Sequence, residues 1–454
     1  MNYLSTRNNK VDTDFITVLF KGLAEDGGLF LPKKWPKINL DLLKGMDYNE
    51  LAFTIIFEFI NKSIRKDDLE KIIHKSYENF NQPLAPLVNI DKNKFILELF
   101  HGPTLAFKDY AMQFLGNIFN HFQQQTEKKI TILGATSGDT GSAAINSFKG
   151  KDKIKIFILH PYNKVSEFQK RQMTTITDNN VFNISLRGNF DDCQKIVKEL
   201  FLDSELQSRT SLTAINSINW ARLLAQIVYF FWGWIQSEQK KVSFIVPSGN
   251  FGNIFSARIA KYMGLPIDKL HLVTNSNEIL HRTISSGKME MMDVKETYSP
   301  SMDIQISSNF ERQIFESLNR DSNKLNKIMT EFYKQKSYQF SKNILNDLQQ
   351  NYISHSVANN EIIETIKLYL NNYNYLADPH TATGLNVMNK INTNSSVIAL
   401  ACAHPSKFGE VIQKAVGFRP NLPQQFKNIF DKKEKFIILD NRIENIKKYI
   451  LNNI

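Results

Sequence analysis

Short apolar runs, each followed by helical periodicity, set the pattern of the middle of this chain. FILELF (95–100), KITILG (129–134), KIFILH (155–160), VSFIVP (242–247) and KLHLVT (269–274) are strand-length, and apolar residues at three- and four-residue spacing follow them. Such alternation predicts an α/β fold, with mostly parallel sheets flanked by helices. VIALACAHP (397–405) is a late strand candidate expected to return to the same sheet, whereas 305–372 reads as helical and polar on one side. Residues 1 to about 90 differ: the turn-rich GLAEDGGLFLP (22–32) precedes amphipathic stretches near 48–62 and 67–80, which predicts a mainly helical N-terminal region. The expected domain organisation is this region (1–90), a catalytic core of two discontinuous α/β subdomains (91–420) and a C-terminal tail (421–454).

Composition narrows the class. A chain of 454 residues, 42% hydrophobic and 22% charged, is an ordinary globular protein with more than one core to fill. Its net charge of +11 comes from Lys dispersed among Asn and Ile, with no basic block, so it suits anionic small molecules better than a nucleic-acid groove. Two cysteines, Cys193 and Cys402, are too few for a disulfide framework or a Cys-based metal site and fit a reducing compartment. MNYLSTRNNKVDTDF lacks the apolar stretch of a signal peptide, and the run Ile227 to Ile235 is far short of the ~20 residues of a spanning helix. A soluble, cytoplasmic protein is expected.

Four segments place Gly, hydroxyl or charged residues just after a predicted strand, where open α/β sheets present their ligand crevice. In HGPTLAFKDYAMQFLG (101–116), Lys108 stands at a helix start, an electrostatically poor place for an ammonium group. That favours a neutral or imine-linked nitrogen, with a plain surface lysine as the alternative. GATSGDTGSAA (134–144) sets Thr136, Ser137, Gly138, Asp139 and Thr140 before a small-residue helix, where backbone N–H groups can cradle an anion or simply cap the helix. PSGNFGN (247–253) repeats the arrangement through Gly249, Asn250, Phe251, Gly252 and Asn253, either as a phosphate loop or as a turn. DPHTATG (378–384) offers Thr381, which can hydrogen-bond a ring nitrogen or cap a helix. Asn219 and Arg222 in NSINWARLLAQ and Lys164 in HPYNKVSEF are further substrate candidates, with ordinary solvated or core helices as the alternative. HExxH, CxxC and EF-hand spacings are missing from the sequence, so no catalytic metal is assigned.

Taken in order, HGPTLAFKDYAMQFLG, GATSGDTGSAA, NSINWARLLAQ, PSGNFGN and DPHTATG closely resemble threonine synthases, and STR, GLAEDGGLFLP and HPSKF extend the match. The resemblance implies the tryptophan-synthase-β-like fold with pyridoxal 5'-phosphate as cofactor. It further implies conversion of O-phospho-L-homoserine and water to L-threonine and phosphate, by γ-elimination and β-addition of water, in the last step of threonine biosynthesis. By the same resemblance Lys108 is the Schiff-base lysine, Gly249 to Asn253 hold the cofactor phosphate, and Thr381 partners the pyridine nitrogen. Thr136 to Thr140 would take the substrate carboxylate, and Lys164, Asn219 and Arg222 its phosphate. The alternatives are a related dehydratase or phospho-lyase giving 2-oxobutyrate, or a catalytically silent homologue. Neither nucleic acid nor membrane is an expected partner, and a monomer or homodimer is expected.

Overall fold

The computed structural model describes residues 1–127, 129–391 and 395–454. Two sheets carry the molecule. The first has six strands in the order Tyr352–Ser356, Ile267–Thr274, Val242–Pro247, Ser396–Ala401, Lys94–Glu98 and Leu87–Asp91. All its pairings are parallel except that of the last two strands. The second sheet is wholly parallel, in the order Ile437–Asp440, Val181–Arg187, Ile154–Pro161, Ile130–Ala135 and Ser211–Thr213. Val242–Pro247 and Ser396–Ala401 are buried at every position, as a parallel strand covered on both faces must be. Their near-continuous apolar sequence follows from that burial.

The late strand returns to the first sheet between Val242–Pro247 and Lys94–Glu98, as expected. The reading of 305–372 as helical needs correction. Tyr352–Ser356 within it is the edge strand of the first sheet, and Ser337–Gln339 pairs with Lys288–Glu290. An edge strand of five residues alternating Tyr, Ile, Ser, His and Ser has too little apolar signal to stand out between helices. The last 18 residues also contribute regular structure: Ile437–Asp440 extends the second sheet and helix Ile443–Leu451 packs on Phe190–Phe201.

The N-terminal region brackets the helix that begins at Lys108. Helix Tyr48–Ile60 starts at a capping box in which Asp47 and Glu50 satisfy each other's backbone N–H groups. With helix Lys66–Tyr77 it packs against Lys108–Gln124 and Trp220–Ser237. Tyr48, Tyr77, Phe80, Tyr110, Tyr229 and Trp232 interlock there with ring centroids 4.8 to 6.0 Å apart. Tyr110 is fully buried and its hydroxyl accepts the Ala85 N–H at 2.9 Å. The first turn of the Lys108 helix is thereby fixed by aromatic packing rather than by its own propensity.

Candidate active site

Four chain segments meet at the C-terminal ends of parallel strands from both sheets. Lys108 is the first residue of helix Lys108–Gln124 and is only 7% exposed, so it is not a surface lysine. Its Nζ lies 3.1 Å from Asp139 Oδ2 and 3.4 Å from Ser301 Oγ. The other Asp139 oxygen accepts from Gln169 Nε2 at 2.8 Å and lies 3.0 Å from Lys407 Nζ. One buried carboxylate therefore bridges two buried lysines. Burial opposes the charge of Asp139, but Lys108, Lys407, His380 and the Gln169 bond outweigh it and hold the carboxyl well below its ordinary range.

The residue after Lys108 shapes the turn. Asp109 takes hydrogen bonds from Thr104 N (2.8 Å) and Thr104 Oγ1 (2.5 Å), with Ala106 N at 3.4 Å. A Cβ on Gly102 would stand 2.5 Å from the Asp109 Cβ, so the turn closes only with glycine there. Lys407 Nζ also donates to the Thr104 carbonyl at 2.6 Å, tying this turn to Asp139. Burial pushes the Asp109 carboxyl up to about 6, against the bonds from Thr104, the charge of Lys407 and the Ala106 N–H. A raised carboxyl binds its proton more tightly in the folded state, so Asp109 favours folding at acid pH. That contribution, roughly 3 kcal/mol, fades as pH rises from about 4 through 6. Asp109→Asn can keep the backbone N–H bonds and should flatten this slope; urea unfolding at pH 4.5 and 7 measures it, and an undiminished slope would reject the assignment.

The GATSGDT segment turns into helix Asp139–Phe148 at Gly138, whose φ of +140° a side chain rarely tolerates. Thr136 Oγ1 accepts from the N–H groups of Gly138 (3.0 Å) and Gly141 (2.8 Å), while Ser137 and Thr140 stay partly accessible. In the SGNFGN loop, Phe251 has a left-handed backbone (φ +60°), held by packing of its ring on Phe310 at 5.0 Å and Tyr352 at 5.3 Å. Helix Gly252–Met263 opens immediately after it. Ser248 Oγ and Asn253 Nδ2 are buried there without a hydrogen-bond partner among the described residues. A Cβ on Gly249 would approach Ser301 O and the Met302 Cα to 3.1 Å, which sets this loop directly against the Lys108 contact Ser301.

Thr381 lies in the first turn of helix Pro379–Lys390, which Asp378 caps. Its hydroxyl donates to Asp378 Oδ2 and accepts the Cys402 N–H at 2.8 Å, leaving one lone pair. Asp378 Oδ1 lies 3.1 Å from His380 Nδ1, and His380 Nε2 accepts from the Ser301 N–H at 3.2 Å. Thr381, His380, Ser301 and Lys108 thus form one connected network, which sequence spacing alone did not reveal.

The expected substrate contacts are less uniform. Asn219 is committed to structure: Nδ2 donates to Leu19 O and Oδ1 caps helix Trp220–Ser237 through the Ala221 N–H. Arg222 is buried, with Nη1 on the Ile215 carbonyl at 3.0 Å and Nε without a partner; burial lowers it to about 10. Lys164 is exposed on the turn after strand Ile154–Pro161. Ser301, Gln169 and Lys407 were not singled out from the sequence. Lys407 had a usable signal, since it sits in HPSKF just beyond strand Ser396–Ala401, as the Lys108, GATSGDT and PSGNFGN segments also follow strands. DPHTATG, expected after a strand, instead follows helix Asn359–Tyr373, and Ser301 lies in the short 3-10 turn Pro300–Met302, which carries no such signal.

The residues present fit an aldehyde cofactor bearing a phosphate: a buried lysine, and beside it a glycine-rich helix start with two orphaned polar groups. A family model described as pyridoxal-phosphate dependent enzyme matches residues 76–331, more than half of the chain, and this fold and site define an enzyme of that class. Models for the threonine synthase N terminus and C-terminal part match residues 2–77 and 381–450. The chain is 40% identical to threonine synthase of Pseudomonas aeruginosa, over 99% of this chain and 98% of that one. It is 42% identical to threonine synthase of Saccharomyces cerevisiae, over 96% and 95%. A crystal structure of PLP-bound threonine synthase from Brucella melitensis superposes with a TM-score of 0.96 at 42% identity, covering 100% of this chain and 99% of that one. The chain belongs to the threonine synthase family.

Proposed function

We propose that this enzyme converts O-phospho-L-homoserine and water to L-threonine and phosphate, with Lys108 as its covalent and acid–base residue. The observation that carries the reading is the buried Lys108 Nζ, 3.1 Å from Asp139 and beside the SGNFGN loop through Ser301. Pyridoxal phosphate supplies the electron sink that makes the substrate's Cα–H acidic.

Each residue then has a role. Lys108 would hold the cofactor aldehyde and would move the proton at the substrate's Cα. Asp139 accepts from Lys108 Nζ and keeps it oriented. Gly249, Asn250, Phe251, Gly252 and Asn253 would hold the cofactor phosphate through backbone N–H groups at a helix start. Thr381 would partner the ring nitrogen as a neutral hydroxyl. Thr136, Ser137, Gly138 and Thr140 would receive the substrate carboxylate. Arg222 and Lys164 would receive its phosphate, with Asn219 fixing the helix that carries Arg222.

The domain division proposed is 1–90, 91–420 and 421–454, the last stretch completing the second sheet. Cytoplasmic location and a monomer or homodimer without nucleic acid belong to the same reading; it is compatible with the finding that no helix among the described residues is long and apolar enough to cross a membrane.

The test is to incubate the holoenzyme with O-phospho-L-homoserine and measure phosphate, threonine and 2-oxobutyrate together. Equal phosphate and threonine is the expected result. Phosphate accompanied by 2-oxobutyrate would move the enzyme to elimination without hydration.

A further inference from the structure

We infer that Arg312 is a positioning residue that supplies the buried positive charge behind the cofactor-phosphate loop, acting through Asn309. The inference rests on the reading of 248–253 as the phosphate site. Arg312, in helix Phe310–Ser317, is completely buried. Its Nε donates to the Phe30 carbonyl at 3.1 Å, its Nη2 to the Ile218 carbonyl at 2.7 Å, and its Nη1 to Asn309 Oδ1. Among the described residues it forms no ion pair with a carboxylate. Its neighbour Glu311 is instead taken by Thr6 Oγ1 at 2.7 Å and by Arg7 Nη2 at 2.9 Å. Burial lowers the Arg312 guanidinium to about 9, against a partial offset from Glu311.

A buried charge ordinarily has a counter-charge, and none among the described residues touches the guanidinium. Asn309 shows where one would sit. Its N–H donates to the Asn250 carbonyl at 3.2 Å, and its Nδ2 donates to Ser217 O at 3.1 Å. The same Nδ2 stands 3.3 Å from where a Cβ on Gly252 would be. The side chain that accepts from Arg312 is therefore packed against the glycine that opens helix Gly252–Met263. The orphaned Ser248 Oγ and Asn253 Nδ2 are in the same loop. A helix start offers about half a positive charge, whereas a phosphate ester brings nearly two negative ones. Arg312 makes up part of the difference from inside the protein, where screening is weak. Its bond to the Phe30 carbonyl also makes the N-terminal region a support for this loop.

The test compares the affinities of the apoprotein for pyridoxal 5'-phosphate and for pyridoxal, each titrated by absorbance. Their ratio isolates what the phosphate contributes. Arg312→Gln is expected to lower that ratio at least about tenfold while leaving pyridoxal affinity nearly unchanged, and Arg312→Lys should keep most of it. Equal weakening of both ligands would mean that Arg312 only supports the fold, and would overturn the inference. Should Arg312→Gln not fold, Asn309→Asp places a carboxylate against the guanidinium at constant shape, and an unchanged ratio there overturns the inference equally. A wild-type protein that binds both ligands alike would instead sink the phosphate-loop reading itself, and this inference with it.

Discussion

Lys108→Ala is expected to form threonine at below about one-thousandth of the wild-type rate, because one nitrogen serves both as the covalent anchor and as the acid–base group. Positioned proton transfer alone typically contributes ~10²- to 10⁴-fold, and loss of the anchor adds to it. The structure makes rescue by a neighbour geometrically poor. Lys407 is another buried amine at the site, but its Nζ is held by Asp139 Oδ1 at 3.0 Å and the Thr104 carbonyl at 2.6 Å, on the carboxylate oxygen that Lys108 does not contact. Steady-state threonine formation gives the rate. Borohydride reduction of the holoenzyme followed by peptide mass analysis gives the anchor: cofactor mass should appear on the peptide containing Lys108 and vanish in the variant. Cofactor mass on any other lysine would remove Lys108 from its assigned role.

Asp139→Asn is the second large effect. The substitution keeps shape but leaves two buried ammonium groups facing an amide, and removing one partner of a buried ion pair commonly costs about 3 to 5 kcal/mol. The single amide oxygen can serve only one of the two lysines, and the other is left with the Thr104 carbonyl (Lys407) or with Ser301 Oγ at 3.4 Å (Lys108). The pH dependence has a definite sign. A carboxylate held below its unfolded value contributes stability that is fully present above about pH 4, and loses it as pH falls through the depressed folded value. Wild type and variant should therefore differ most at neutral pH and converge in acid. Urea unfolding of the apoproteins at pH 7 and pH 3 tests this, and a difference under about 1 kcal/mol at pH 7 would show that the triad is not a stabilising ion-pair network.

Much of the site could be read in order along the chain, because HGPTLAFKD, GATSGDT and PSGNFGN follow strands whose apolar runs are self-evident; DPHTATG follows helix Asn359–Tyr373 instead. VSFIVP and VIALA are buried at every position, so their signal is strong; Tyr352–Ser356, at the sheet edge, has almost none. Lys108 was readable as a residue poorly placed at a helix start. Asp139, read as part of a carboxylate loop, proved to be the counter-ion of that lysine. Nothing local marks it as such, since the two residues are 31 positions apart and on different strand ends. Arg312 was invisible for the same reason: its partners, Phe30 and Ile218, are respectively 282 and 94 residues away.

The sequence by itself determined the alternation of strand and helix, the order of the motifs and the residue types able to anchor a cofactor. Those properties depend on spacing along the chain, which periodicity and turn chemistry record directly. The tertiary structure alone decided which strands join which sheet, that Asp139 serves two lysines, and that Asn219 is spent on a helix cap. It also decided that a carboxylate-free arginine lies behind the glycine loop. These depend on which groups meet after burial, where a charge must find its partner from whatever the fold brings within hydrogen-bond reach.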